Sequence, residues 1–196
     1  TGANSFIPPV GNLREAKNVF GLRHLSDAQA IDQSAKEAEN IVIIGSGLVG
    51  LDAAYGLMET GKNVSIVEMA EFYLGRKAAE TKMDENGKIT TVILDNGEEL
   101  KSDLIIVAAG VRSATAGFET EEIIVDRGMK VDEFMQTGAK DVYAAGDVTG
   151  LSGIWPNAQK QGETAALNMM GGRVPYTDRF AAKNTINFFG LNSLCV

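Results

Sequence analysis

The sequence has 196 residues, 44% of them hydrophobic and 22% charged, with a net charge of −8. Such a chain is ordinary soluble globular material, long enough for one large domain or two small ones. The acidic balance argues against nucleic acid, no apolar stretch approaches the ~20 residues of a membrane span, and the single cysteine, Cys195, excludes a disulfide scaffold, a zinc site or a C-x-x-C pair within the chain. No signal peptide is visible, and with a single cysteine the reducing cytoplasm is the expected compartment. Cys195 reads as a small hydrophobe and His24, the only histidine, as a surface or packing residue.

Thr1 to Val10 reads as an extended segment starting in mid-structure, because Pro8-Pro9 disfavours helix and no strand precedes the Thr1-Gly2 turn. Gly11 to Leu25 reads as loop, with a short strand at Val19-Phe20. Ser26 is expected to cap a helix from Asp27 to about Ala38, with Gln29 completing an S-x-x-Q capping box.

Ile41-Val42-Ile43-Ile44 has no polar partner at period two, which predicts a strand buried on both faces of a parallel sheet. It runs directly into Gly45-Ser46-Gly47-Leu48-Val49-Gly50, a G-x-G-x-x-G between strand and helix. Gly45 allows the sharp turn, Gly47 has no Cβ to block a pyrophosphate, and Gly50 lets the helix lie close to the strand. The amides and positive dipole end of the first helical turn then face the phosphates. The helix runs through Ala53, Ala54, Leu57 and Met58 to Gly61, and a second strand, Val64 to Val67, ends in Glu68. Glu68 lies 23 residues after Gly45, close to the ~20-residue offset of an acid that hydrogen-bonds an adenosine ribose. A carboxylate there repels a 2′-phosphate, so NAD(H) is expected over NADP(H).

A parallel strand normally returns through a crossover of a dozen or more residues. Here strand-like Glu71 to Gly75 follows almost at once, so a helical segment of roughly 20 to 30 residues is expected to be absent between about Met69 and Phe72. Residues 76 to 103 read as antiparallel strands with turns at Asn86-Gly87 and Asn96-Gly97. Asp103 to Gly110 is a second buried parallel strand, with Gly110 either a close-approach point for the nicotinamide half or a plain turn.

Ile123 to Val125 and Met129 to Val131 are expected as short strands around Arg127-Gly128, and Val142 to Asp147 as an apolar strand ending in Gly-Asp. Pro156-Asn157-Ala158 opens a helix to Met170, with Ala165, Ala166 and Met169 on one face and Gly171-Gly172 stopping it. The tail from Arg173 ends in apolar residues that favour association, as a homodimer.

Together these pieces resemble the flavin-dependent pyridine nucleotide-disulfide oxidoreductase family over nearly the whole chain. Thr1-Gly2-Ala3 resembles its A-T-G turn, Gly45 to Glu68 its NADH fingerprint, Val92 to Arg112 its segment returning from the NAD domain, and Val142 to Asp147 its second FAD motif. Leu22 to Ala28, W-P-N-A at 155 to 158 and N-F-F-G-L at 187 to 191 look most like the rubredoxin/ferredoxin reductase and nitrite reductase branch. The NADH oxidase and coenzyme A-disulfide reductase branch is the runner-up.

The resemblance implies an α/β fold with a Rossmann-like doubly wound parallel sheet and an antiparallel β-meander, an NAD-binding domain plus part of an FAD-binding domain. It implies that Gly146 and Asp147 contact the flavin, that the helix after Trp155 points its amino end at the isoalloxazine, and that Asp52 matches an acid near the nicotinamide that is usually Glu. The family's first glycine motif and active-site cysteine would lie upstream of Thr1, so the chain reads as a fragment. Residues 1–35 would be an FAD-domain segment and connecting helix, 36–112 the NAD domain, 113–172 the second half of the FAD domain, and 173–196 the start of a carboxyl-terminal domain. The complete enzyme would pass hydride from NADH to FAD and electrons to an acceptor, a redox protein or small molecule. An isolated, non-catalytic NAD(H)-binding sensor or scaffold and an inert truncated domain are the alternatives.

Overall fold

The computed structural model describes residues 2–68, 77–177, 180, 184–188 and 190–195. In chain order the elements are β1 (Ala3–Ser5), β2 (Val19–Gly21), α1 (Leu25–Ala35), β3 (Asn40–Ile44), α2 (Leu48–Met58) and β4 (Asn63–Val67). There follow β5 (Ala78–Met83), β6 (Ile89–Leu94), β7 (Glu99–Lys101), β8 (Leu104–Val107), β9 (Val111–Ser113), α3 (Trp155–Met169), β10 (Asn184–Phe188) and β11 (Leu191–Cys195).

The apolar runs without polar alternation occupy the middle of a four-stranded parallel sheet, order β2-β8-β3-β4. Successive side chains of a strand point to opposite faces, and here both faces are covered. Val42 and Ile44 of β3, with Ile105 and Val107 of β8, pack against Ile89, Val92 and Leu94 of the antiparallel sheet β5-β6-β7. Ile41 and Ile43, with Leu104 and Ile106, pack against Ile31 and Ala35 of α1 and Ala54 of α2. Ile41, Val42, Ile43 and Ile44 are each 1% exposed or less. Burial of this kind contributes roughly 2 kcal/mol per side chain.

Polar side chains tie the amino ends of these strands together. The Asp103 carboxylate accepts from the backbone amides of Asn40 (2.8 Å) and Glu39 (3.1 Å) and from Asn40 Nδ2 (3.2 Å). Burial pushes this carboxyl up, but the Asn40 and Glu39 hydrogen bonds outweigh it and hold it below its ordinary value.

Residues 5–110 with 186–193 form one compact unit, and residues 1–4, 111–185 and 194–196 form another. The first takes in residues 5–35 as well as the glycine loop, because β2 lies beside β8 and α1 covers the sheet. Among the described residues the second contains little sheet, chiefly β1 beside β9, isolated bridges and the ends of β10 and β11. It is held instead by the polar face of α3. Asn157 exchanges hydrogen bonds with the backbone of Phe180, Asn168 with that of Val174, and Gln161 Oε1 accepts from Gly146 N–H (2.7 Å).

Several expectations need correction. Helix α1 starts at Leu25, with Asp27 and not Gln29 in the capping position: its carboxylate accepts from the amides of Arg23 (2.9 Å) and His24 (2.8 Å). A charged acceptor at the positive end of the helix outcompetes the neutral Ser26/Gln29 pair. Around Arg127-Gly128 there is a single bridge, Val125 to Met129, and not two strands. Val142 to Asp147 is no strand either: Tyr143 bridges Gln136, and Gly146–Thr149 winds into a 3₁₀ turn. A strand needs a continuous ladder beside it, and among the described residues none lies there. The buried stripe of α3 is Asn157, Gln161, Thr164, Ala165 and Asn168, while Ala166 and Met169 are exposed. Residues 69–76, where a helical segment was expected to be absent, lie outside the described residues. No helix among the described residues is long and apolar enough to cross a membrane.

Candidate functional site

Strand β3 ends where Gly45 turns the chain with φ +112°, a conformation open to glycine but not to L side chains. The turn is tied to the neighbouring strand by Gly45 N–H donating to the Val67 carbonyl (2.8 Å). Helix α2 then begins with Gly47 as its N-cap. The first helical hydrogen bond is Leu51 N–H to Gly47 O (3.0 Å), so the amides of Leu48, Val49 and Gly50 precede it and can face an anion. A Cβ on Gly50 would overlap the Gly45 carbonyl, whereas one on Gly47 would meet nothing within 4 Å. The first glycine is thus needed for the turn, the third for close helix packing, and the second opens toward the space a ligand would fill.

Glu68 leaves the end of β4 beside this loop. Its Oε2 accepts from the Ser46 backbone amide (2.8 Å) and from the Ser46 hydroxyl (2.6 Å). A cleft of about 640 Å³ is lined by Gly45, Gly47, Leu48, Val49, Glu68 and Gly110, together with Phe6, Pro8, Ala108 and Ala109. That volume is within the ~300–1,000 Å³ range of cofactor sites. The cleft sits at the carboxyl ends of β3, β4 and β8, where open α/β sheets bind ligands. Glycine-loop amides, a mostly apolar wall and one carboxylate suit a pyrophosphate, an adenine and a ribose diol respectively. NAD(H) fits this donor set.

The structure therefore gathers Gly45, Gly47, Leu48, Val49, Glu68 and Gly110 at one cleft, with Ser46 bonded to Glu68 and Gly50 packed beneath. Asp52 is exposed on α2 and does not line the cleft. Phe6, Pro8, Ala108 and Ala109 were not expected there; the only signals were the extended Pro8-Pro9 segment and the small residues closing β8. Gly146 and Asp147 belong to the other compact unit. There Asp147 lines a smaller cleft of about 230 Å³ with Ala3, Arg127, Ser152 and Gly153, and its main-chain carbonyl accepts from the Ser113 hydroxyl (2.6 Å). A carboxylate and a serine hydroxyl on one small cleft suit a polyol such as a ribityl chain.

The family model for pyridine nucleotide-disulphide oxidoreductases matches residues 1–87 and 70–162. The chain belongs to this family. Among curated members, the epsilon subunit of NADH-dependent phenylglyoxylate dehydrogenase from Aromatoleum evansii is 32% identical over 231 residues, covering 100% of this chain and 54% of the relative. NADH-rubredoxin oxidoreductase from Clostridium acetobutylicum is 32% identical over 83% of this chain and 47% of its own length. Among solved structures, the reductase of the covalent putidaredoxin reductase–putidaredoxin complex superposes with a TM-score of 0.74 at 26% identity, covering 95% of this chain and 53% of that one. The chain spans about half the length of these relatives. The alignment to the Aromatoleum protein runs over 231 positions against 196 residues here, so about 35 of its positions have no counterpart in this chain. The two stretches matched by the family model overlap at residues 70–87.

Proposed function

We propose that this chain carries the NADH-binding half-site of a flavoprotein oxidoreductase that takes hydride from NADH and passes electrons to a redox protein or small acceptor. The observation that carries this reading is the Glu68 carboxylate held at the mouth of the glycine loop, the placement that accepts a ribose diol and repels a 2′-phosphate. Gly45 to Gly50 bind the pyrophosphate, the walls from Phe6 and Ala108 exclude water, and Gly110 lets the nicotinamide end approach the backbone. Asp147, with Gly146 shaping its turn, would hold the ribityl hydroxyls of FAD, and Asp52 is assigned to the nicotinamide region. Bound flavin would supply the two-electron to one-electron conversion.

Residues 36–112 form the NAD-binding domain, with residues 5–35 packed on it, and residues 113–172 the flavin-side segment. A crossover segment of the NAD domain is absent near residue 70. The overlap of the two family matches at residues 70–87 supports this, and the roughly 35 unmatched positions of the relative are enough to supply such a segment. With one cysteine in the sequence, the cytoplasm is the proposed compartment.

The test is the absorbance spectrum of the purified full chain. A flavin band at about 450 nm that bleaches on adding NADH is expected for a working half-site joined to bound FAD. A flavin band that NADH leaves unchanged contradicts the oxidoreductase reading. A colourless chain that still binds NADH favours the second reading, a non-catalytic NAD(H)-binding module.

A further inference from the structure

We infer that Ser46 sets the coenzyme preference of the glycine-loop cleft by positioning Glu68. The inference rests on the dinucleotide reading above and adds a residue to it that the glycine pattern leaves as an unspecified x.

Three hydrogen bonds in succession stitch the loop to the end of β4: Gly45 N–H to Val67 O, then the Ser46 amide and the Ser46 hydroxyl to the same oxygen of Glu68. A glutamate side chain turns about three bonds, and its charge discriminates between NADH and NADPH only where it is held. Any residue at position 46 would supply the amide. The hydroxyl is what serine adds, and its 2.6 Å contact lies within the range expected of O–H···O⁻ bonds. Both residues are half-buried, which limits competition from water. Position 46 makes no demand for a left-handed backbone, unlike Gly45, so alanine or threonine meets no backbone strain there.

Ser46 is thus a positioning residue: it fixes the carboxylate at the edge of the cleft, where the charge opposes a 2′-phosphate and the fixed geometry favours a ribose diol. Without the hydroxyl the carboxylate loses the shorter of its two bonds to Ser46, is held less closely against the loop, and both effects weaken.

The test is a double-mutant cycle on the full chain, reading dissociation constants for NADH and NADPH by calorimetry in the wild type, Ser46→Ala, Glu68→Ala and the double variant. Melting curves confirm that each is folded, and Ser46→Thr serves as the variant that keeps a hydroxyl. The wild type is expected to prefer NADH, and Ser46→Ala to narrow the NADPH-to-NADH ratio roughly tenfold, about one charge-assisted hydrogen bond. Ser46→Thr is expected to retain the ratio, and in the Glu68→Ala background the serine change is expected to move it less than about twofold. A ratio unchanged by Ser46→Ala, or narrowed equally with Glu68 absent, overturns the inference while leaving the dinucleotide cleft standing. A wild type that binds neither coenzyme overturns the cleft and the inference together.

Discussion

Gly50→Ala is expected to weaken NADH binding at least roughly tenfold and to lower stability by about 2 kcal/mol, the scale of overpacking in a tight contact. The added methyl would occupy the space of the Gly45 carbonyl oxygen and approach the Ala108 side chain, neither of which can retreat. Gly45 is tied to Val67 and sits at φ +112°, and Ala108 N–H donates to Ile44 O (2.8 Å), so both belong to the sheet itself. Relief has to come from α2, which must shift away from β3 and carry the amides of Leu48 and Val49 with it. The phosphate site therefore degrades in proportion to the shift. Calorimetric titration of NADH into the variant, paired with a urea melt, checks both effects. A variant that binds and melts like the wild type would show that helix packing at Gly50 does not shape the cleft.

Asn18→Leu is expected to cost about 3 kcal/mol of stability while leaving NADH affinity within roughly twofold in conditions where the variant is folded. Asn18 is 6% exposed. Its Nδ2 donates to the carbonyls of Ile89 (2.8 Å) and Asp103 (3.0 Å), and its Oδ1 accepts from Ile89 N–H (2.9 Å). One side chain thereby joins the start of β2 to β6 and to the start of β8. Leucine removes all three partners at once and leaves the buried amide and carbonyl of Ile89 and the partly buried carbonyl of Asp103 without them, with the desolvation penalty falling mainly on the Ile89 groups. The position lies at the amino ends of the parallel strands, opposite the glycine-loop cleft, which is why binding should survive. Urea denaturation followed by circular dichroism measures the loss. A loss under about 1 kcal/mol would mean that these groups find other partners.

The contrast between these two positions shows what could be read before the structure. Gly50 was legible because its role depends on residues within one strand-turn-helix unit, where spacing alone fixes the geometry. The same holds for Ile41 to Ile44, whose lack of alternation matches two covered faces, and for the turns at Gly87 and Gly97 between β5, β6 and β7. Asn18 and Asp103 were not legible, since their partners lie 63 to 85 residues away and nothing local marks an asparagine as a buried junction. Glu68 falls between: its offset made it the expected ribose acid and the structure brings it to the cleft, but no pattern tied it to the Ser46 hydroxyl. Val142 to Asp147 shows the opposite failure. Its composition is that of a strand, yet strand formation is a property of the ladder and not of the segment, and Gly146 instead turns at φ +79° into the 3₁₀ turn that carries Asp147.

The same physics explains why Glu68 carries the functional argument. Glycine loops bind many phosphates, and among the described residues lining the cleft Glu68 is the charged one, on which a preference between dinucleotides would rest. The most direct measurement is accordingly a calorimetric titration of the wild-type full chain with NADH and with NADPH at the same ionic strength. Tighter binding of NADH is predicted. Equal or tighter binding of NADPH, or no binding of either at millimolar concentration, would contradict the assignment of Gly45 to Glu68 as an NADH site.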